Sequence, residues 1–391
     1  METSQAADNL LVKIVNTTET ELVISAAARL LTGKPPPREK FDPHELITLI
    51  FHHNLASLAS FQAGRLEGWR VRLEGDALKE LDATLVQARV RRMMVVRALQ
   101  DALKIIGDFH PVLFKGLAAA ELYPQPHLRD PGDIDLLIHP DHFGVAANYL
   151  LENGWELQET VHADRSEDVA RLYGFARVFR HPESPVILDL HRAPVDKTEP
   201  FWIDPESILD RSIHTVLTDD ISVNVPEHED HLILLALHSV RHGFFSLKWC
   251  LDVFFACREW TLEIEQKKFV DNCRKMHVER AVRTGLEVAR VFYGPVRNPM
   301  DNLLMDGKTQ KAITRRNPFI IAKGQLSGQG GLRRFSAMLD LMEGFSSKAY
   351  YIAHTLFPPR ALFSDSAGEL PSRKFYFKNR IEAWQKAVMG K

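Results

Sequence analysis

Cysteine is scarce in this chain of 391 residues: Cys250, Cys257 and Cys273 are all it has, an odd number with no Cys-x-x-Cys pair. That excludes a disulfide framework and a cysteine-rich zinc module, and leaves three thiols in apolar, helix-patterned sequence where burial is expected. An excess of charge of one sign is missing too, since Lys plus Arg numbers 49 and Asp plus Glu 51, a formal net charge of −2. So balanced a chain has no single-sign field with which to coat a long nucleic acid, and no such partner is expected. No run approaches the roughly 18 uninterrupted apolar residues of a bilayer-spanning helix, and residues 1–11 lack the apolar stretch of a signal peptide. The cytoplasm is the expected location, with no membrane as partner. Internal repeats and low-complexity tracts are absent as well. What is present is a globular composition, 45% hydrophobic and 26% charged, in a chain long enough for two or three units of roughly 100–200 residues each.

Hydrophobic periodicity divides the chain in three. Over residues 1–108 apolar side chains recur at three- and four-residue steps, in segments 22–31, 43–66 and 78–106, with Lys34-Pro35-Pro36-Pro37 separating the first two. The third segment carries Arg89, Arg92 and Arg97, a stripe that reads as a solvated helix face. From 109 to 225 short strand-like runs alternate with shorter helices. Strands are expected at 112–114 and 134–138 and helices at 117–123 and 142–153, the second closing at Gly154. Segments 173–180 and 186–191 form an antiparallel hairpin about the turn at 182–185. Residues 226–391 return to helix at 228–242, 247–258, 279–293, 333–354 and 375–388, interrupted by a basic stretch at 308–316 and a glycine-rich one at 324–331. The glycine-rich stretch matches neither a Walker loop nor a dinucleotide fingerprint and reads as a connector. An α+β protein follows, with helical regions at both ends (1–108 and 226–391) and an α/β core over 109–225.

Chemistry concentrates in that core. Asp133 and Asp135 stand two apart at the start of an apolar run, so a strand turns both carboxylates to one face and Ile134, Leu136 and Ile138 to the other. Two carboxylates on one dry face repel and raise each other's pKa unless a cation lies between them, and Mg²⁺ or Mn²⁺, hard ions that favour oxygen, suit the place. Asp189 interrupts a second strand-like run, sharing a face with Ile187 and His191. Three carboxylates on neighbouring strands can hold two divalent ions, the geometry of phosphoryl or nucleotidyl transfer. Upstream, Lys115-Gly116 stands at an expected strand-to-helix turn where backbone can approach a phosphate, and Arg129 offers a second, bidentate cation.

The order Lys115-Gly116, Tyr123, Arg129, Asp133-x-Asp135, a helix closing at Gly154, and Asp189-Leu190-His191 resembles the uncharacterised nucleotidyltransferase family of the DNA polymerase β superfamily. His238, His242, Trp249 and Asp252 resemble its following helical segment. The resemblance implies a polymerase β-like core with a mixed sheet, Asp133, Asp135 and Asp189 as catalytic metal ligands, and Lys115, Gly116 and Arg129 around an NTP such as ATP. In the broader superfamily the turn is usually Gly-Ser; here Lys115-Gly116-Leu117 leaves out the serine contact to the triphosphate. The implied reaction moves an NMP group to an acceptor that is a small molecule, sugar, peptide or protein side chain, with His191, His238 and His242 as acceptor-side residues.

Other roles remain open for several of these positions. A nucleotide-binding or scaffold protein that keeps the fold without catalysis is the alternative. His231, His238 and His242 share one helix stripe, but a His-x-x-x-His pair without an intervening glutamate or a third ligand reads as a polar cluster rather than a zinc site. Trp249 is expected in helix packing, Asp252 either in packing or in orienting a histidine, and Phe244, Phe245, Phe254 and Phe255 in the core.

Overall fold

The period-two alternation of the central third becomes strand. The computed structural model of the protein describes residues 18–73, 75–158, 174–196, 199–244, 246–302, 330–358, 360–363 and 371–389. Its strands are β1 (Val112–Leu113), β2 (Ile134–Leu137), β3 (Glu156–Leu157), β4 (Ala176–Arg180), β5 (Ile187–His191), β6 (Ile213–Val216) and β7 (Ser222–Val225). They form one seven-stranded mixed sheet in the order β3-β4-β5-β2-β1-β7-β6. β2 runs parallel to β5 and antiparallel to β1, and β1 runs parallel to β7. The expected hairpin is β4 with β5, closed by the His181 N–H donating to the Val186 carbonyl at 2.9 Å. Three further strands were not foreseen. β3 is exposed at both residues and β6 is mostly exposed, so neither carries the buried-face alternation by which a strand is recognised.

Helices precede and follow the sheet. Before it come α1 (Thr18–Leu31), α2 (Pro43–His52), α3 (Ala56–Arg65), α4 (Glu67–Arg72) and α5 (Asp76–Ile106). Within and beside it lie α6 (Gly116–Ala120), α7 (Phe143–Glu152) and α8 (Pro205–Leu209). After it come α9 (His228–Arg241), α10 (Leu247–Glu259), α11 (Gln266–Lys275), α12 (Glu279–Tyr293), α13 (Gly330–Leu341), α14 (Phe345–Leu356) and α15 (Arg373–Met389). Two stretches expected as single helices are broken. Segment 43–66 breaks at Asn54, whose φ of 54° is one that asparagine tolerates, and 333–354 breaks at Gly344, φ 78°. α2 starts as its sequence dictates, with Pro43 in the first turn and the Asp42 carboxylate accepting from the His44 N–H at 2.8 Å. The basic stretch 308–316, Phe245 and most of the glycine-rich stretch lie outside the described residues.

The two faces of the sheet feed two cores. On one, Leu113, Ile134, Leu136, Phe179, Leu188 and Leu190 pack with the C-terminal half of α5 and with α7. On the other, Val112 and Leu137 join a core built by helices from both ends of the chain, including Leu30, Trp69, Leu232, Leu251 and Val282. The N-terminal and C-terminal helices therefore share one apolar body. All three cysteines are free and buried. Arg92 departs from its expected solvated face: it is buried, with Nε donating to Asp219 at 2.9 Å and Nη2 to Glu121 at 2.7 Å, tying α5 to the turn between β6 and β7. Among the described residues no helix is long and apolar enough to cross a membrane.

His231 gives this body a pH dependence. It is buried on α9 with its ring 5.2 Å from that of Trp260. Burial, and then the charges of His228 and Arg129, push the imidazole down to about 3 from its ordinary 6.5. Below about 6.5 the unfolded chain takes up a proton that the folded one refuses. The stabilisation from a neutral His231 is thus complete above that pH and is lost on acidification towards 3, at about 1.4 kcal/mol per pH unit. His53, pushed to about 3, and His238, also lowered, add slopes of the same sign, so urea unfolding between pH 7 and 5 should show a slope that His231→Gln reduces by about 1.4 kcal/mol per pH unit; equal slopes in both proteins would contradict the assignment.

Candidate active site

β1 delivers the chain to a strained turn. The Phe114 N–H donates to the Asp135 carbonyl at 3.2 Å, and Lys115 then takes φ 56° and ψ −129°, a conformation that costs an L-residue about 1–3 kcal/mol, before α6 begins at Gly116. A Cβ on Gly116 would lie 3.2 Å from the Asp133 carbonyl oxygen and 3.7 Å from Asp135 Oδ2. Glycine at this position lets the Asp133 backbone and the Asp135 carboxylate approach the turn this closely.

The register of β2 with β5 assembles the rest. Asp135 pairs with Asp189 and Leu137 with His191 along parallel strands, so Asp135, Asp189 and His191 project from the same face. Asp135 Oδ1 accepts from Lys115 Nζ at 3.0 Å and lies 3.0 Å from His191 Nε2, which carries the proton because an ionised carboxylate only accepts. His191 is packed edge-on against Phe114, ring centres 5.0 Å apart, with Phe175 at 5.7 Å. Among the described residues, Asp135, Asp189 and His191 form the group whose ligand atoms all lie within 4.8 Å of one another. Asp133, expected with them, stands just before β2, where the strand ladder does not impose its direction, and is not part of that group.

Electrostatics separates the three carboxylates. Burial raises Asp135, but the Lys115 charge and the His191 hydrogen bond outweigh it and hold the carboxyl below the usual range. Asp189 has no such partner among the described residues: burial, then Asp135 and Asp133, push it up to about 7 against the opposing pull of Lys115. Asp133 is raised by burial and by Asp135, with Lys115, Arg129 and Lys248 opposing. Burial and the Lys115 charge lower His191, against Asp135. Oxygen donors on two adjacent strands with an imidazole beside them fit a divalent cation, which would relieve this repulsion.

Arg129 departs most from its expected place on the phosphates. It is buried, Nε and Nη2 donate to Asp252 Oδ1 and Oδ2 at 2.8 Å each, and Nη1 donates to the Gly116 carbonyl at 2.7 Å. The Tyr123 hydroxyl donates to Asp252 Oδ1 at 2.8 Å. Every nitrogen of the guanidinium is engaged, so Arg129 braces the glycine turn against α10. This also resolves Asp252, which holds an arginine and not a histidine.

His238, His242 and Trp249 form a three-ring cluster with centres 4.6–4.8 Å apart. Burial, the Lys115 charge and His242 keep the His238 imidazole well below its ordinary pKa. A cavity of about 690 Å³ bounded by Phe201, Trp202, Lys275, Tyr350 and neighbouring residues shares no lining residue with the carboxylate group. Sequence reading passed over Lys248; its spacing of four from Asp252 on a helix was the available signal.

A family model described as an uncharacterised nucleotidyltransferase matches residues 39–294, which include the whole sheet and the helices α9 to α12. No curated protein matches the chain.

Proposed function

The chain belongs to this uncharacterised nucleotidyltransferase family, and on that premise we propose that it transfers a nucleoside monophosphate from an NTP to an acceptor hydroxyl, releasing pyrophosphate. The pairing of Asp135 with Asp189 on parallel strands beside the Lys115-Gly116 turn carries the reading. Asp135 and Asp189, with His191 beside them and Asp133 at the mouth of β2, would hold Mg²⁺ or Mn²⁺. A bound ion of that kind neutralises phosphate charge and favours attack by an oxygen. Lys115 supplies a positive charge for the triphosphate, and bare Gly116 lets the backbone approach it. Asp189 takes up the acceptor proton as the new oxygen–phosphorus bond forms and the bond between the α-phosphorus and the bridging oxygen breaks, with pyrophosphate leaving on that oxygen. His191, His238 and His242 face the acceptor, which is a small molecule, sugar, peptide or protein side chain.

One observation favours a second reading, nucleotide binding without transfer: the Lys115 ammonium already occupies Asp135 Oδ1 at 3.0 Å. A thermal-shift titration with ATP, GTP, CTP and UTP, with and without Mg²⁺, followed by a pyrophosphate-release assay over a panel of hydroxyl acceptors, separates the two. Transfer predicts a Mg²⁺-dependent stabilisation of about 2.7 kcal/mol at 100 times the Kd, lost in the Asp133→Asn/Asp135→Asn double variant, together with pyrophosphate release. A shift without pyrophosphate favours the binding reading. No shift with any nucleotide sinks both.

A further inference from the structure

The first two turns of α10 carry two charged residues four apart, Lys248 and Asp252, the second joined to the glycine turn through Arg129. Asp252 would be the natural intrahelical partner of Lys248, but both of its oxygens are held by Arg129, one of them by Tyr123 as well. Lys248 is therefore left with one hydrogen bond among the described residues, a long one of 3.4 Å to the carbonyl of Asp130, in the loop that leads to Asp133. An ammonium has three donors, and this half-buried one spends a single donor on a distant carbonyl although carboxylates stand near it. Burial, with Arg129 next, lowers its pKa, against the opposing pull of Asp252, Asp130 and Asp133. Lys115 and Lys248 both act on Asp133, and the loop carrying Asp133 lies directly against the Gly116 turn, its carbonyl oxygen 3.2 Å from where a Cβ on Gly116 would stand. The bracing of Arg129 on Asp252 fixes the face of α10 against this turn.

We propose that Lys248 is a second phosphate-binding cation of the site, supplied by the C-terminal helical region and directed at the polyphosphate tail of the nucleotide, an assignment that rests on the nucleotidyltransferase reading and deepens it. Arg129 has every nitrogen engaged and Lys115 spends one donor on Asp135, so Lys248 adds donors beside those Lys115 has left. The site then belongs to two parts of the chain, the sheet providing carboxylates and α10 a positive charge for the tail.

Calorimetric titration of wild type, Lys248→Gln, Lys248→Arg and the exposed control Lys104→Gln with the four NTPs, their monophosphates and inorganic pyrophosphate, all with Mg²⁺, tests this. Lys248→Gln should weaken NTP and pyrophosphate about 10- to 100-fold, the loss of one charge-assisted hydrogen bond. Monophosphate affinity should change less than threefold, Lys248→Arg should recover most of the loss, and Lys104→Gln should match wild type. NTP and pyrophosphate affinities within twofold of wild type in Lys248→Gln overturn the proposal and leave the nucleotidyltransferase reading standing. An equal loss for monophosphate and triphosphate overturns it too, since that marks a structural role. Should Lys248→Gln not fold, Lys248→Met, which keeps the apolar stem, replaces it under the same criteria. A wild type that binds neither NTP nor pyrophosphate removes the reading and the proposal together.

Discussion

Asp135→Asn is expected to lower nucleotide transfer on the order of 10³-fold or more while the protein still folds. The change keeps the side chain's shape and removes the one charge at which Lys115, His191 and the Asp189 strand converge. Its second consequence distinguishes it from a general loss of structure. Asp189 is held near 7 by burial and next by Asp135, so the substitution should lower the Asp189 pKa. Single-turnover pyrophosphate release checks the first effect and a carboxyl titration followed by NMR the second. Transfer within tenfold of wild type in Asp135→Asn, or an Asp189 titration that does not move, would sink the placing of Asp135 at the centre of the site. Asp189→Asn should abolish transfer comparably, because the two carboxylates act as a unit.

Asp252→Ala carries the largest expected effect on stability, a loss of about 3–5 kcal/mol. Asp252 and Arg129 are each almost wholly buried and joined by two hydrogen bonds of 2.8 Å. Removing the carboxylate strands a guanidinium in the interior and takes the acceptor from the Tyr123 hydroxyl, which costs far more than the net value of the pair. The combined change Arg129→Met/Asp252→Leu should recover most of that stability, since the uncompensated charge goes with its partner. It should not recover nucleotide binding, because the hydrogen bond from Arg129 to the Gly116 carbonyl is gone. Urea unfolding of Arg129→Met, Asp252→Leu and the pair completes the cycle. A cost below about 1 kcal/mol for Asp252→Ala would show that the pair does not brace the turn.

How much of this was legible in the sequence varies with how local its cause is. Helix α12 appears with the bounds its periodicity dictates, and α7 ends where Gly154, φ 87°, allows the chain to turn back. Breaks at Asn54 and Gly344 were missed because the apolar stripe continues across both, and a single left-handed residue interrupts a helix without disturbing its composition. In the sequence Arg92 reads as part of a solvated helix face and Arg129 as a phosphate-binding cation. Each proved to be a buried tie, one to Asp219 and Glu121, the other to Asp252, because their partners come from distant parts of the chain.

The sequence by itself determined that Asp133-x-Asp135 opens a strand with one apolar face, that a glycine stands at the preceding turn, that the thiols are buried, and that helices flank an α/β core. These follow from periods of two and 3.6 and from backbone freedom at glycine, which a short window of residues settles. Tertiary structure alone decided that Asp189 and His191 stand beside Asp135, because the register of a parallel pair depends on how β5 is carried back to the sheet. It also decided that Arg129 serves the turn and that Lys248 comes to the site. Both depend on where α10 lies relative to the Gly116 turn, to which Arg129 ties it, and a charge buried by folding must find its counterpart wherever the fold has placed one.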